Sequence, residues 1–472
     1  HPALAALLLA TTDGAATASA CDLAAAGAHD ELARFYRERE CRLAWFSGPA
    51  PTPQGRALAA MLRRADRKGL RPEDYGGAGW ETRLAAAGSG AVSPDDVLRT
   101  DIALTAAALR YVSDLHAGRV DPRRLGFEVR GRNGSHQRPS VLLAPIVSAE
   151  DVPGAVEAVE PPYRGYRRTV RALEQHLDLA RDGEPPPADA PPRSAGAGPP
   201  APAASAAPPL ARRIVQLQLA LERWRWLPRD GVRPAVVVNL PEFRLRAGDA
   251  GQRWSMKVVV GKAYQRQTPV LASEIRSVVF RPAWKVPLRI QRTELVAQLR
   301  KKPALLERDA YEVVDRRWQP VDTAGRTPDE TLDLLGSGAL RLRQRPGPRN
   351  ALGLVKFSFP NEHDVYLHDT PTRRLFDRGR RDLSHGCIRV EDPVRLAEWV
   401  LRDRPGWTRE RILAAMKGSS TLEVRVPRPV PIFILYGTAV VDEDGTVRFL
   451  DDVYRHDEAL ERALASRSAP GG

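Results

Sequence analysis

Asp364-Val365-Tyr366-Leu367-His368-Asp369-Thr370-Pro371 and Leu383-Ser384-His385-Gly386-Cys387-Ile388-Arg389-Val390 are the two stretches from which the rest of the chain is read. Side chains alternate along an extended strand, so Val365 and Leu367 share one face and Tyr366 and His368 the other. An imidazole and a phenol thus lie together on a strand that ends in a turn. In the second stretch, Ser384-His385-Gly386-Cys387 reads as a tight turn in which Gly386 allows close backbone approach or a positive φ. Asp392 is a suitable N-cap and Pro393 a suitable first residue, so a helix is expected just beyond. Its positive end, with Arg389 and a neighbouring histidine, is expected to favour a Cys387 thiolate.

That thiolate would be a nucleophile. A free thiol is only partly ionised at neutral pH, whereas a Cys–His pair is largely ionised. His368 is the expected partner, first as base and then as acid towards a leaving amine. The amides of Gly386 and Cys387 and the Tyr366 hydroxyl are the expected donors to an oxyanion. Inert buried residues would be the default for a lone Cys and a lone His. Zinc held by His363, His368, His385 and Cys387 fits no closed structural spacing. A papain-like pair would place Cys before His. Neither metal nor cofactor is expected.

Outward from this core, short apolar runs punctuated by Gly and Pro predict a β-rich unit. They are Ala235 to Leu240, Phe243 to Leu245, Met256 to Val260, Gly353 to Phe359, Val365 to His368, Leu422 to Val426, Ile432 to Tyr436 and Thr438 to Val441. Residues 290–345 interrupt it with charge and with helical spacing over Thr293 to Arg300 and Leu305 to Ala310, and read as a helical cap. Ala211 to Trp226 is expected to be a helix opening the unit, which spans 210–455 and leaves 456–472 as a tail. Residues 184–209 are almost wholly Pro, Ala, Gly and Ser, too polar to bury a core, and read as a linker. Before it, 21–183 reads as helical, with segments at Asp30 to Arg39, after Thr52-Pro53, at Asp95 to His116 and at Tyr163 to Leu179.

With 472 residues, several domains are expected, and 41 prolines and 36 glycines agree with a long linker. The net charge of +14 suits an anionic partner, but the arginines are spread along the chain without a basic block or RNA-binding signature, so nucleic acid is not expected. No apolar run approaches a membrane span. Residues 1–20 are Ala/Leu-rich and end in Ala18-Ser19-Ala20, which reads as the remnant of a secretory signal. Cys21 and Cys41 are either a disulfide or two separate buried thiols, and Cys387 is the odd thiol.

Together the two opening stretches resemble the signature of the YkuD-type L,D-transpeptidase catalytic domain: a strand His, fifteen residues, then Ser-His-Gly-Cys-Ile-Arg. The likeness extends to Glu222-Arg223-Trp224-Arg225-Trp226-Leu227-Pro228, Val237-Val238-Asn239-Leu240-Pro241, and Val260-Gly261-Lys262 with Thr268-Pro269. It continues through the run from Arg343 to Gly353 and Lys356-Phe357. It is similar to the large periplasmic branch, in which a helical scaffold precedes the catalytic domain and a capping insertion covers the cleft. Thr52-Pro53-Gln54-Gly55-Arg56 and Gly118-Arg119-Val120-Asp121-Pro122 carry the likeness into the helical half.

The resemblance implies an α+β multidomain chain: a helical scaffold, then a β-rich, sandwich-like catalytic fold with an inserted helical cap. It implies a periplasmic or cell-envelope cysteine acyltransferase, expected to be a monomer, that joins peptidoglycan stem peptides 3→3 through a Cys387 thioester. Carbapenem-type β-lactams would acylate the same thiol. His368 would be the base; Tyr366, His385, Gly386 and Asp369 would line the oxyanion and substrate site; Ser384 and Arg389 would shape the turn, with Arg389 able to meet a substrate carboxylate. Many members carry Asn at the position of Arg389, and the helical peptidoglycan-binding repeat often found near the linker is replaced here by Pro/Ala-rich sequence. Water as acceptor would make an L,D-carboxypeptidase, and a protein amine a lipoprotein-anchoring enzyme. A non-catalytic wall-binding scaffold is disfavoured because Cys387, His368, Tyr366 and Gly386 are all present.

Overall fold

A computed structural model of the chain describes residues 19–26, 30–88, 93–129, 137–183, 208–229, 235–248, 253–264 and 266–468. The expected signal segment 1–20 lies outside these residues except for Ser19 and Ala20, and the expected linker 184–209 except for Pro208 and Pro209. Two compact units form. Among the described residues, one gathers those up to 183 with 208–229 and 436–468; the other gathers those from 235 to 435.

The first unit is helical. Its principal helices are α1 (Asp30–Glu38), α2 (Pro53–Arg63), α3 (Pro94–Ala117), α4 (Arg164–Asp182) and α5 (Leu210–Arg225). Thr52 caps α2 by accepting from the Gly55 amide at 3.1 Å, and Ser93 with Asp96 forms a reciprocal capping box on α3. The apolar stripe of α3 is buried at Ile102, Leu104, Val112 and Leu115. Asp101 is buried among them and needs partners there. It accepts from the Tyr36 hydroxyl at 2.5 Å and the Trp45 amide at 2.7 Å.

The limits of the second unit differ at both ends from the expected 210–455. Leu217 and Leu221 of α5 bury against Tyr166 and Leu173 of α4, so this helix belongs to the helical unit. The hairpin Ala439–Val441 with Val447–Phe449 joins the same cluster. Residues 456–468, expected as a tail, form the helix His456–Ser468, tied to α5 by Arg223 and Asp457 at 2.6 Å. Cys21 and Cys41 are joined, with Cα atoms 5.2 Å apart.

The second unit is built on strands β1 (Ala235–Asn239), β2 (Arg244–Gly248), β3 (Arg253–Gly261), β4 (Leu271–Phe280), β5 (Trp284–Lys285), β6 (Tyr311–Val314), β7 (Arg341–Gln344), β8 (Val355–Ser358), β9 (Leu367–His368), β10 (Asp382–Ser384), β11 (Ile388–Val390) and β12 (Leu422–Leu435). The main sheet runs β3-β11-β9-β8-β4-β12-β1-β2 and closes where β2 pairs back onto β3, with β10 appended to β3. The expected sandwich-like fold is therefore a closed sheet. Strand β9 pairs β11 in parallel, and the connection between them carries β10 and the catalytic turn. Strand β4 was not expected, because Ser273, Glu274 and Arg276 break its apolar run, yet it lies at the centre of the sheet. β12 was read as two strands; it is one, its register shifting between Arg425 and Val430 where Pro427 and Pro429 cannot donate.

The insertion is α/β rather than helical. A helix, α6, runs from Leu288–Ile290 through a π-turn at Gln291–Leu295 to Val296–Lys301, and α7 spans Pro328–Ser337. Both pack beside a three-stranded sheet, β5-β7-β6, around Val286, Leu299, Leu335 and Leu342.

The bond between Cys21 and Cys41 closes a 20-residue separation. Replacing both by serine is expected to destabilise the helical unit by roughly 3 kcal/mol, the loop-closure value for that length. Urea unfolding followed by tryptophan fluorescence checks this; midpoints equal to the oxidised wild type would contradict it.

Candidate active site

The strand register assembles the site. Phe357 of β8 faces Val278 of β4 and Leu367 of β9, and Leu367 faces Ile388 of β11. All four are wholly buried, forming one row of the core. One residue along, the period-two alternation turns the next row to the opposite face. That row is Lys356, His368 and Arg389, direct partners across three adjacent strands. Tyr366 precedes β9 with its ring centroid 5.7 Å from that of His368, as the shared face required. The Ile388 amide donates to the Tyr366 carbonyl at 3.1 Å, which sets Cys387 beside Tyr366.

The turn bearing Cys387 is held by hydrogen bonds. Ser384 Oγ donates to the Cys387 carbonyl at 2.6 Å and accepts from the Gly386 amide at 3.2 Å. Thr268 Oγ1 donates to the Gly386 carbonyl at 2.7 Å while accepting from the Gly261 amide at 2.8 Å. Gly386 has φ +119°, open to glycine but strained for other residues. The expected oxyanion role of the Gly386 amide is thus altered, since Ser384 already engages it. Among the described residues the Cys387 amide has no protein acceptor.

The thiol lies 3.7 Å from the Asp364 carbonyl and also meets the hydroxyl and amide of Tyr366. Burial pushes the Cys387 thiol up, and Tyr366, Lys356 and Arg389 do not fully offset it. The expected resting thiolate is therefore a thiol. The helix expected to assist does begin at Asp392, whose carboxylate accepts from the Arg395 amide at 3.0 Å. Strand β11 intervenes, however, and three extended residues span about 10 Å, beyond the reach of the first helical turn.

His368 is buried, and desolvation together with the Arg389 charge pushes it down to about 3, against the carbonyls of Asp369 and Leu352. Nδ1 lies 2.5 Å from the Asp369 carbonyl. A carbonyl only accepts, so Nδ1 carries the proton and Nε2 keeps its lone pair. Cys387 is not a hydrogen-bond partner of this ring among the described residues. Asp369, expected at the substrate, turns its carboxylate away: it accepts from the Leu354 amide at 2.9 Å and fills the space a side chain on Gly353 would need. His385, also expected to line the substrate site, instead donates through Nε2 to Glu294 of the cap at 2.9 Å.

Several groups escaped the sequence reading. Lys356 Nζ sits 4.0 Å above the Tyr366 ring, and burial lowers its pKa. The Trp284 indole on β5 of the cap also meets the Tyr366 hydroxyl. Arg389 has a buried Nε with no hydrogen-bond partner and, among the described residues, no acidic partner. A lone Lys, Trp or Glu carries no spacing signal; only Lys356-Phe357 stood within a recognisable stretch.

The arrangement is a thiol, a neutral imidazole and cations on one rim of a closed sheet, suited to acyl transfer. Comparison with known proteins gives the class. Residues 233–432 match the L,D-transpeptidase catalytic domain, YkuD, and residues 30–173 match the Scaffold domain. The chain therefore carries an L,D-transpeptidase catalytic domain preceded by a Scaffold domain, as the sequence resemblance implied. A Haemophilus influenzae protein named "Putative L,D-transpeptidase" is 32% identical over 249 residues, 52% of this chain and 49% of that protein. The chain thus spans about half the length of this curated relative. The solved Mycobacterium tuberculosis L,D-transpeptidase 1 shares 14% identity over 42% of this chain and 60% of its own, with a TM-score of 0.16, too loose for comparing geometry. No helix among the described residues is long and apolar enough to cross a membrane.

A raised thiol pKa makes Cys387 a slow nucleophile in the free enzyme at neutral pH. Its alkylation by iodoacetamide is expected to climb from pH 7 through pH 9; a plateau reached by pH 7 would contradict this. Tyr366→Phe removes a bond to the charged form worth about 1.5 kcal/mol, and is expected to slow alkylation at pH 8 about tenfold.

Proposed function

We propose that this protein is a cell-envelope L,D-transpeptidase that forms 3→3 cross-links between peptidoglycan stem peptides. The observation that carries the reading is the thiol of Cys387 on a fixed turn, level with Tyr366 and one strand from an imidazole whose Nδ1 proton is committed to a carbonyl.

Cys387 Sγ attacks the carbonyl of the diamino acid at position three of the donor. Thiol and imidazole both rest neutral, so the proton leaves sulfur for His368 Nε2 as the S–C bond forms, not beforehand. The Cys387 amide and the Tyr366 hydroxyl stabilise the oxyanion. Collapse breaks the C–N bond, and His368 returns the proton to the departing D-alanine amine. The side-chain amine of a second stem peptide then attacks the thioester, and the C–S bond breaks to restore the thiol. Lys356, although Glu423 and Asp364 act on it, and Arg389, which has no acidic partner among the described residues, favour developing negative charge and a substrate carboxylate. When a carboxylate pairs with Arg389, the charge that depresses His368 is offset and the base strengthens.

Purified tetrapeptide muropeptides, with products resolved by mass, test the reaction. Cross-linked dimers with release of D-alanine are expected from the wild type, and none from Cys387→Ala. Tripeptide alone would move the reading to an L,D-carboxypeptidase. A carbapenem-type β-lactam is expected to add its mass to Cys387; an adduct at another residue would contradict the assignment of the nucleophile.

A further inference from the structure

Glu294 lies in the π-turn of α6, a local irregularity that recurs at functional sites. Its carboxylate leaves the cap and enters the catalytic turn. His385 Nε2 donates to both oxygens, at 2.9 and 3.0 Å, and the Arg266 guanidinium is 2.5 Å from Oε1. His385 stands two residues before Cys387. Arg266 belongs to the loop joining β3 and β4, whose Lys262 amide and Thr268 hydroxyl hold the same turn.

The cluster opens to solvent: Arg266, Glu294 and His385 keep 20%, 28% and 29% of their side-chain surfaces exposed. Burial pushes the Glu294 carboxyl up, but His385 and Arg266 outweigh it and hold the group below the usual carboxylate range. The cap presents this carboxylate from a fixed base. Gln291 is wholly buried at the start of the π-turn, and donates to the Leu335 and Leu340 carbonyls at 2.7 and 3.0 Å. It also accepts from the Leu342 amide at 2.8 Å.

A guanidinium and an imidazole N–H converging on one carboxylate make a carboxylate receptor. Here the protein fills it itself, beside the nucleophile. A stem peptide brings a carboxylate of its own on the side chain of a diamino acid that carries a second carboxyl. We propose that Arg266 and His385 form a carboxylate-binding subsite, filled by Glu294 in the resting enzyme and taken over by the side-chain carboxylate of the donor peptide. The exchange replaces one anion with another, so both bonds are remade while the cap loses its hold on the catalytic turn. A donor with that carboxyl amidated offers no such exchange. This inference rests on the stem-peptide reading above.

The test uses the full chain and two donor tetrapeptides, one with the side-chain carboxylate free and one with it amidated, at a fixed acceptor concentration. The readout is the acid-to-amide ratio of kcat/KM. Glu294→Gln vacates the subsite, and is expected to raise the ratio about fivefold through a lower KM for the acid, the scale of one partly exposed ion pair. Arg266→Gln is expected to lower the ratio by a similar factor. A folding defect would depress both donors together and cannot move the two variants in opposite directions. An unchanged ratio in both variants would overturn the subsite. So would a loss of kcat towards both donors in Glu294→Gln that Glu294→Asp restores, since Glu294 would then position the turn. If the wild type turns over neither donor, the stem-peptide reading falls and the subsite with it.

Discussion

The site depends on a two-residue parallel pairing, Leu367 with Ile388 and His368 with Arg389. So short a pairing has little stability by itself. It persists because both strands lie inside a closed sheet, between β8 and β3, with Leu367 and Ile388 buried in the core row. The alternation that buries them turns His368 and Arg389 to the other face. A slip of one residue would turn a guanidinium and an imidazole into the apolar core row and two core residues out of it, so core packing enforces the catalytic register. The same register explains the charge state. His368 is flanked by Arg389 and Lys356, and is buried, so it rests neutral. Burial likewise keeps Cys387 protonated despite those cations. The free enzyme thus holds its nucleophile and base uncharged.

The cap reaches this site at two points. Trp284 meets the Tyr366 hydroxyl, and Glu294 meets His385 in the catalytic turn. Both residues come from one insertion with its own core. The cap therefore contributes to the polar environment of Cys387.

Much of this was legible in the residues. His368 and Tyr366 on one strand face, the Gly386 turn and the Asp392–Pro393 helix start are local patterns with local causes, and they stand in the structure as read. That the sulfur rests as a thiol was not legible, because it depends on desolvation, a property of the assembled sheet. Asp369 was misread for a related reason: its carboxylate is claimed by the Leu354 amide, a contact made only when β8 and β9 pair. Strand β4 was hidden by Glu274 and Arg276, whose side chains face outward from a strand that is otherwise core. The limits of the catalytic unit were missed because α5 buries its apolar face against α4 and pairs through Arg223 with Asp457 of the helix His456–Ser468, 234 residues further on. Glu294 looked like one more charge in a charged helix; only the fold brings it to His385.

The measurement that bears most directly on the central claim is the mass of the enzyme during turnover of a tetrapeptide donor without an acceptor amine, followed by mapping of the modified peptide. The account predicts a transient adduct on Cys387 equal to the donor less D-alanine, absent when Cys387 is alanine. An adduct retaining D-alanine, an adduct on another residue, or continued D-alanine release by Cys387→Ala would contradict it.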